Sequence, residues 1–78
     1  MLTGLQIRTA RELLRWSQSD LADKTLLPRR AILRAERTDC EALITIVQEN
    51  EVRRVLMAAG IEFIDESGGG PGVRLRKA

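Results

Sequence analysis

With 78 residues, 44% of them apolar, the chain is sized for one thin-cored domain and is too apolar for a disordered segment. A single cysteine excludes an internal disulfide framework, and the longest apolar stretch, Ala42 to Val47, is interrupted by Thr45 and far too short to span a membrane. Net charge is only +2, but residues 1 to 40 hold eight Lys and Arg against five Asp and Glu, while residues 41 to 78 hold five against six.

In chain order, Thr3 followed three residues later by Gln6 fits a capping box, in which a hydroxyl and an amide exchange bonds with each other's backbone N–H. Ile7, Ala10 and Leu14 follow at helical spacing, with Leu13 beside them, predicting a first helix near residues 4 to 15. Ser17 and Asp20 repeat the device and open a short second helix to about Thr25, with Leu21 and the small Ala22 facing inward. Pro28 suits the first turn of a helix, because its missing N–H is not needed there, and it pushes Leu27 out of the helical region. The third helix is therefore expected from Pro28 to about Glu36 or Arg37, with Ile32 and Ala35 inward.

Thr38 and Asp39 fit either the end of that helix or the cap of a short turn. Ile44 to Val47 is β-branched enough for a strand, but Thr45 and Gln48 form a third capping box, and Ile44, Val47, Val52, Val55, Leu56 and Ala59 keep a helical phase. A fourth helix is expected from about 46 to 59, closed by Gly60 in a left-handed position. The period then changes. Ile61 and Phe63, then Val73 and Leu75, alternate with charged residues around the turn-forming "ESGGGPG" of residues 66 to 72, which predicts a β-hairpin.

Two short helices joined by a tight turn, with arginines at the front of the second, fit a helix-turn-helix whose second helix enters a DNA major groove. The window 28 to 37 holds four arginines and one glutamate. Arginine's planar fork can bond O6 and N7 of one guanine together, and a helix N-terminus favours phosphate. "WSQSDLADKTLLPRRAILRAE", residues 16 to 36, resembles the helix-turn-helix of Cro and the phage repressors, the xenobiotic-response-element type. The matching features are Trp16, Ser17–Gln18, Leu21–Ala22, Ile32 and Glu36. The chain is also similar to short bacterial regulators of that type that end in tails like "AAGIEFIDESGGGPGVRLRK", here Ala58 to Lys77.

The resemblance implies a mainly α fold: a four-helix, lambda-repressor-like helix-turn-helix domain over 1–60 and a C-terminal β-hairpin over 61–78. It implies a sequence-specific DNA-binding transcriptional regulator, a repressor, acting on double-stranded DNA. Gln18 would contact a phosphate and brace the first base reader. Arg29, Arg30 and Arg34 match base-reading positions, and Pro28, Leu33 and Arg37 complete the DNA-facing set. Arg11 and Glu36 match a salt bridge between the first and third helices. Two positions depart from the pattern: Leu26 stands where glycine is usual, with a remodelled turn as one consequence, and Pro28 stands where a hydroxyl residue is usual.

Other readings of these residues are weaker. Trp16 fits a core anchor better than a base-stacking ring, and Cys40, with no neighbouring Cys or His, fits an inert thiol. "GGGPG" at 68–72 is followed by no Lys–Ser/Thr and no helix, so it does not read as a phosphate loop. Without histidine or tyrosine, and with one cysteine, no nucleophile, base or metal-ligand set stands out, so no enzyme, cofactor or metal is expected. The first residues lack the basic-then-apolar pattern of a signal peptide, and a cytoplasmic protein is the expectation.

The alternative function is an antitoxin-like subunit, or another protein-interaction module on the same fold. A homodimer is expected, built by the tail: Ile61, Phe63, Val73 and Leu75 would form an apolar face for a second copy. Glu62 would pair across strands with Arg74 or Arg76. Two recognition helices would then lie about 34 Å apart on a palindromic site.

Overall fold

The computed structural model describes residues 1–64 and 72–76 and is mainly helical. In chain order the elements are α1 (Gly4–Leu13), α2 (Gln18–Thr25), α3 (Arg29–Glu36), α4 (Ile46–Ala58), β1 (Ile61–Ile64) and β2 (Gly72–Leu75). The turn expected over 66–72 lies, except for Gly72, outside the described residues, as does Lys77. Among the described residues no helix is long and apolar enough to cross a membrane.

Three helices start where a capping box can close. The Gln6 N–H donates to the Thr3 hydroxyl at 3.0 Å, and the Thr3 N–H donates to the Gln6 side chain at 2.9 Å. Ser17 with Asp20 opens α2 in the same reciprocal way, and Thr45 with Gln48 opens α4. Each box satisfies two N–H groups that a bare helix start leaves open.

Helix ends follow less local rules. α1 stops at Leu13, two residues short of expectation, because Arg15 turns to φ 58. The Trp16 N–H then donates to the Arg11 carbonyl and the Arg15 N–H to the Glu12 carbonyl, both at 3.0 Å. These are the paired bonds of a left-handed helix end, made here without glycine. Gly60 closes α4 as expected, at φ 105, with its N–H donating to the Met57 carbonyl at 3.0 Å.

The turn between α2 and α3 keeps the backbone that glycine would favour. Leu26 sits at φ 60 and ψ 23, so leucine has not remodelled it. Pro28 has φ −64, as its ring demands, but ψ 145, so it stands just before the helix and α3 begins at Arg29, one residue later than expected.

Ile7 and Ala10 of α1, Leu21 and Ala22 of α2, Ile32 and Ala35 of α3, and Val52 and Leu56 of α4 form one core with Leu2 and Ile61. α1 lies so close to the end of α3 that a Cβ on Gly4 would run into the carbonyl oxygens of Ala35 and Thr38. The segment leading into α4 is stapled to the N-terminus: Gly4 N–H donates to the Cys40 carbonyl at 2.8 Å and Ala42 N–H to the Leu2 carbonyl at 3.1 Å. The buried Glu49 of α4 accepts from the Leu2 N–H at 3.1 Å.

The expected hairpin forms, with Ile61 opposite Leu75, Glu62 opposite Arg74 and Phe63 opposite Val73. Glu62 takes Arg74 as its cross-strand partner at 2.7 Å. The destination of its apolar face is corrected by the packing. Ile61 belongs to the core and Phe63 and Val73 pack against it, with β2 on α1 and β1 on α4. Gln6 also donates to the Gly72 carbonyl at 3.2 Å, and Arg76 N–H to the Gly60 carbonyl at 2.7 Å. Ile61, Phe63 and Val73 thus pack on this chain's own helices, and of the four residues Leu75 is the exposed one, at 41%. The hairpin shares its core with the helices and is not a tail set apart from them.

Candidate nucleic-acid interface

Periodicity divides α3 cleanly. Ala31, Ile32, Ala35 and Glu36 face the protein, and Arg29, Arg30, Leu33, Arg34 and Arg37 are exposed. Arg30, Arg34 and Arg37 stand four and three residues apart, so their side chains rise from one face of the helix beside Leu33. Among the described residues the ion pairs join Arg8 to Asp39, Arg11 to Glu36, Arg53 to Glu49, Arg54 to Glu51 and Arg74 to Glu62. None of these engages an arginine of α3 or Arg37, so that face presents positive charge no described carboxylate offsets. The front of α3 also differs from the other helices, because Pro28 carries no capping side chain. Its first N–H groups remain open to an acceptor arriving from outside.

Behind this face, α3 is anchored by charge. Arg11 of α1 grips Glu36 with two bonds, Nε to Oε2 at 2.9 Å and Nη2 to Oε1 at 3.0 Å. The remaining nitrogen, Nη1, donates to the Trp16 carbonyl at 2.8 Å. The side chains are 14% and 3% exposed, so the pair is largely withdrawn from water. The hydrogen bond to Glu36 raises the Arg11 pKa above its ordinary value, against the lowering effect of burial.

Gln18, expected to contact a phosphate and brace the first base reader, donates to Glu36 Oε1 at 3.3 Å and is half-buried. It joins the brace under α3. Trp16 packs against the core as expected, with the Lys24 ammonium 4.9 Å from its ring centre.

Three structural residues went unread in the sequence. Arg8 closes the far end of α3: Nη1 donates to the Glu36 carbonyl at 3.0 Å and Nη2 to Asp39 Oδ1 at 2.7 Å. Its spacing of three from Arg11 on one helix face was the available signal. Glu49 holds the N-terminus, and its position three before Val52 placed it on the inward phase. Gly4 fits the crossing, and its hint was a glycine in a first helical turn where alanine has the better propensity. No family model matches the chain, and neither a curated protein nor a solved structure matches it.

Proposed function

We propose that the chain is a lambda-repressor-like helix-turn-helix protein that binds double-stranded DNA with α3 in the major groove and regulates transcription as a repressor. The observation that carries this is the exposed row Arg29, Arg30, Arg34 and Arg37, unpaired with any described carboxylate, on a helix held from behind by Arg11, Gln18 and Glu36. α2 braces α3, the turn at 26–28 aims it, and Arg30 and Arg34 read base edges. Arg29 and Arg37, toward the two ends, meet phosphate together with the open N–H groups before Ala31. Exposed positive charge costs little to hold in water and gains most against a polyanion, where neutralising phosphates releases counterions.

Arg30→Ala and Arg34→Ala should each weaken binding to a selected duplex by about 1–3 kcal/mol and relax the preference at particular base positions. Selection from random duplexes followed by competition titrations measures both effects. Equal loss on every sequence would make the two arginines phosphate contacts; no duplex binding even at low salt would defeat the reading. The runner-up is an antitoxin-like or other protein-interaction module, favoured by the exposed apolar residues around Leu26 and Val47. It predicts a protein partner and no salt-sensitive duplex binding.

A further inference from the structure

The least economical residue in the chain is Leu26. It holds a left-handed backbone that leucine rarely adopts, and 88% of its surface is in water, so no packing offsets the strain. Ile46 and Val47, at the start of α4, are 71% and 78% exposed. Leu26 and Val47 flank a groove of about 550 Å³ between the α2–α3 turn and α4, whose lining includes Leu27, Gln48, Glu51 and Arg54. The Glu51–Arg54 pair at its edge is joined by bonds of 2.7 and 3.1 Å.

We propose that this groove is the contact between two copies of the chain, related by a two-fold axis. Leu26 and Val47 of each copy fill the groove of the other. An isologous contact requires one patch to be complementary to itself. This patch carries a projecting leucine and valine immediately beside the hollow that would receive them. The hollow is large enough for both, since it exceeds the volume of two aliphatic side chains.

The edge charges point the same way. Glu51 and Arg54 lie one turn apart on α4 and sum to zero. A partner of strong single-sign charge gains nothing from such an edge. A second copy, reversed by the two-fold axis, sets each Glu51 against the other Arg54 and each Arg54 against the other Glu51.

The arginine face of α3 stays open in this arrangement, because none of Arg30, Leu33, Arg34 and Arg37 lines the groove. A few aliphatic side chains per copy make a small interface, and the dimer is correspondingly weak, in the range of roughly 10 µM to 1 mM. The contact itself does not depend on DNA.

Sedimentation of the full chain without DNA, from about 10 µM to 1 mM, tests it across that range. The wild type should pass reversibly from monomer to dimer. Leu26→Glu and Val47→Glu should raise the dissociation constant at least roughly tenfold, with unchanged circular dichroism, since both sites are exposed. Leu26→Gly, which suits φ 60 and removes the side chain, should do the same if the glutamate variant folds poorly.

Glu51→Arg should weaken the dimer by like-charge contact, and Glu51→Arg with Arg54→Glu should restore it by reversing both signs. Leu5→Glu, at an exposed site on the hairpin side, should leave it unchanged. A wild type monomeric throughout, a Leu5→Glu effect equal to that of Leu26→Glu, or a double swap no better than the single one would each overturn the proposal. A chain that dimerises this way yet binds no duplex would defeat the DNA reading alone.

Discussion

Removing the Glu36 carboxylate should destabilise the protein far more than removing an ordinary surface charge. Glu36 is the acceptor for two bonds from Arg11 and one from Gln18, and its side chain is 3% exposed. Two unit charges 4 Å apart attract by about 4 kcal/mol at an effective dielectric constant of 20, but withdrawing them from water opposes most of that. The loss on mutation is therefore governed by the group left behind. In Glu36→Ala the Arg11 guanidinium, 14% exposed, keeps only the Trp16 carbonyl among its described acceptors. Exposed pairs are worth about 0–1 kcal/mol, and breaking buried ones costs about 3–5. This pair lies nearer the buried limit, and the expected loss is about 2–4 kcal/mol. Total stability for 78 residues is about 4–12 kcal/mol, so that is a large share. Arg11→Met, which keeps the stem and strands the carboxylate, should cost a similar amount. The double mutant, with neither charge left, should be less destabilised than the sum by about 1.5–3 kcal/mol. Urea titrations followed by circular dichroism at low temperature give the four free energies. Coupling below about 0.5 kcal/mol would show that the two charges do not hold α1 to α3 and that Arg11 is better regarded as a surface residue.

Gly4→Ala should destabilise by ~3 kcal/mol, the upper end for overpacking, because the new Cβ meets backbone oxygens of Ala35 and Thr38 that cannot rotate away. At an open helix position the same change would stabilise by about 0.5–1 kcal/mol, so the sign of the shift in thermal midpoint decides whether the close crossing exists. Asp20 is held below the usual carboxylate range by the backbone N–H of Ser17 and then by its hydroxyl. A carboxylate lowered by folding adds stability above its unfolded pKa, and that part is lost as pH falls through the folded value. Urea midpoints measured from neutral to acid pH should therefore fall less steeply in Asp20→Asn than in the wild type; parallel curves would mean the capping box does not set the titration.

Helix starts were legible because capping is local. Thr3, Ser17 and Thr45 each sit three residues before the partner that closes the box, and nothing distant needs to be known. Helix ends were less so. Arg15 takes positive φ without a glycine to announce it, held by backbone bonds that form only after the chain has turned. The inward and outward sides of α3 followed from periodicity, and so did the placement of its arginines on the open side. The Arg11–Glu36 contact came from resemblance, since 25 residues separate the two and no spacing rule links them. Arg8, reaching across 28 residues to the end of α3, lay beyond either route.

The hairpin shows where alternation stops being informative. Period-two patterning fixes which side chains share a face, and it placed Ile61, Phe63, Val73 and Leu75 together correctly. It does not say what covers that face. A short hairpin needs another surface in order to persist in water, and a second copy and the chain's own helices satisfy that need equally well at the level of pattern. What decides is the exposed apolar surface remaining on the helices. α1 and α4 must cover Ile7 and Leu56, and the hairpin, joined to α4 through Ala59 and Gly60, is the nearest element able to do it at almost no loop-closure cost. Apart from Met1, the most exposed of the large apolar side chains lie away from the hairpin, at the turn before α3 and at the start of α4. Leu26 is the extreme case. The Thr25 hydroxyl donates to the Leu21 and Ala22 carbonyls at 2.8 and 3.2 Å, Leu27 packs against the core, and the Pro28 ring fixes its own φ, so the neighbours hold the turn whatever occupies position 26. A side chain is then free to be strained and exposed there without loosening the helix it precedes, which makes this turn a place where the chain can carry a contact residue while the orientation of α3 stays fixed.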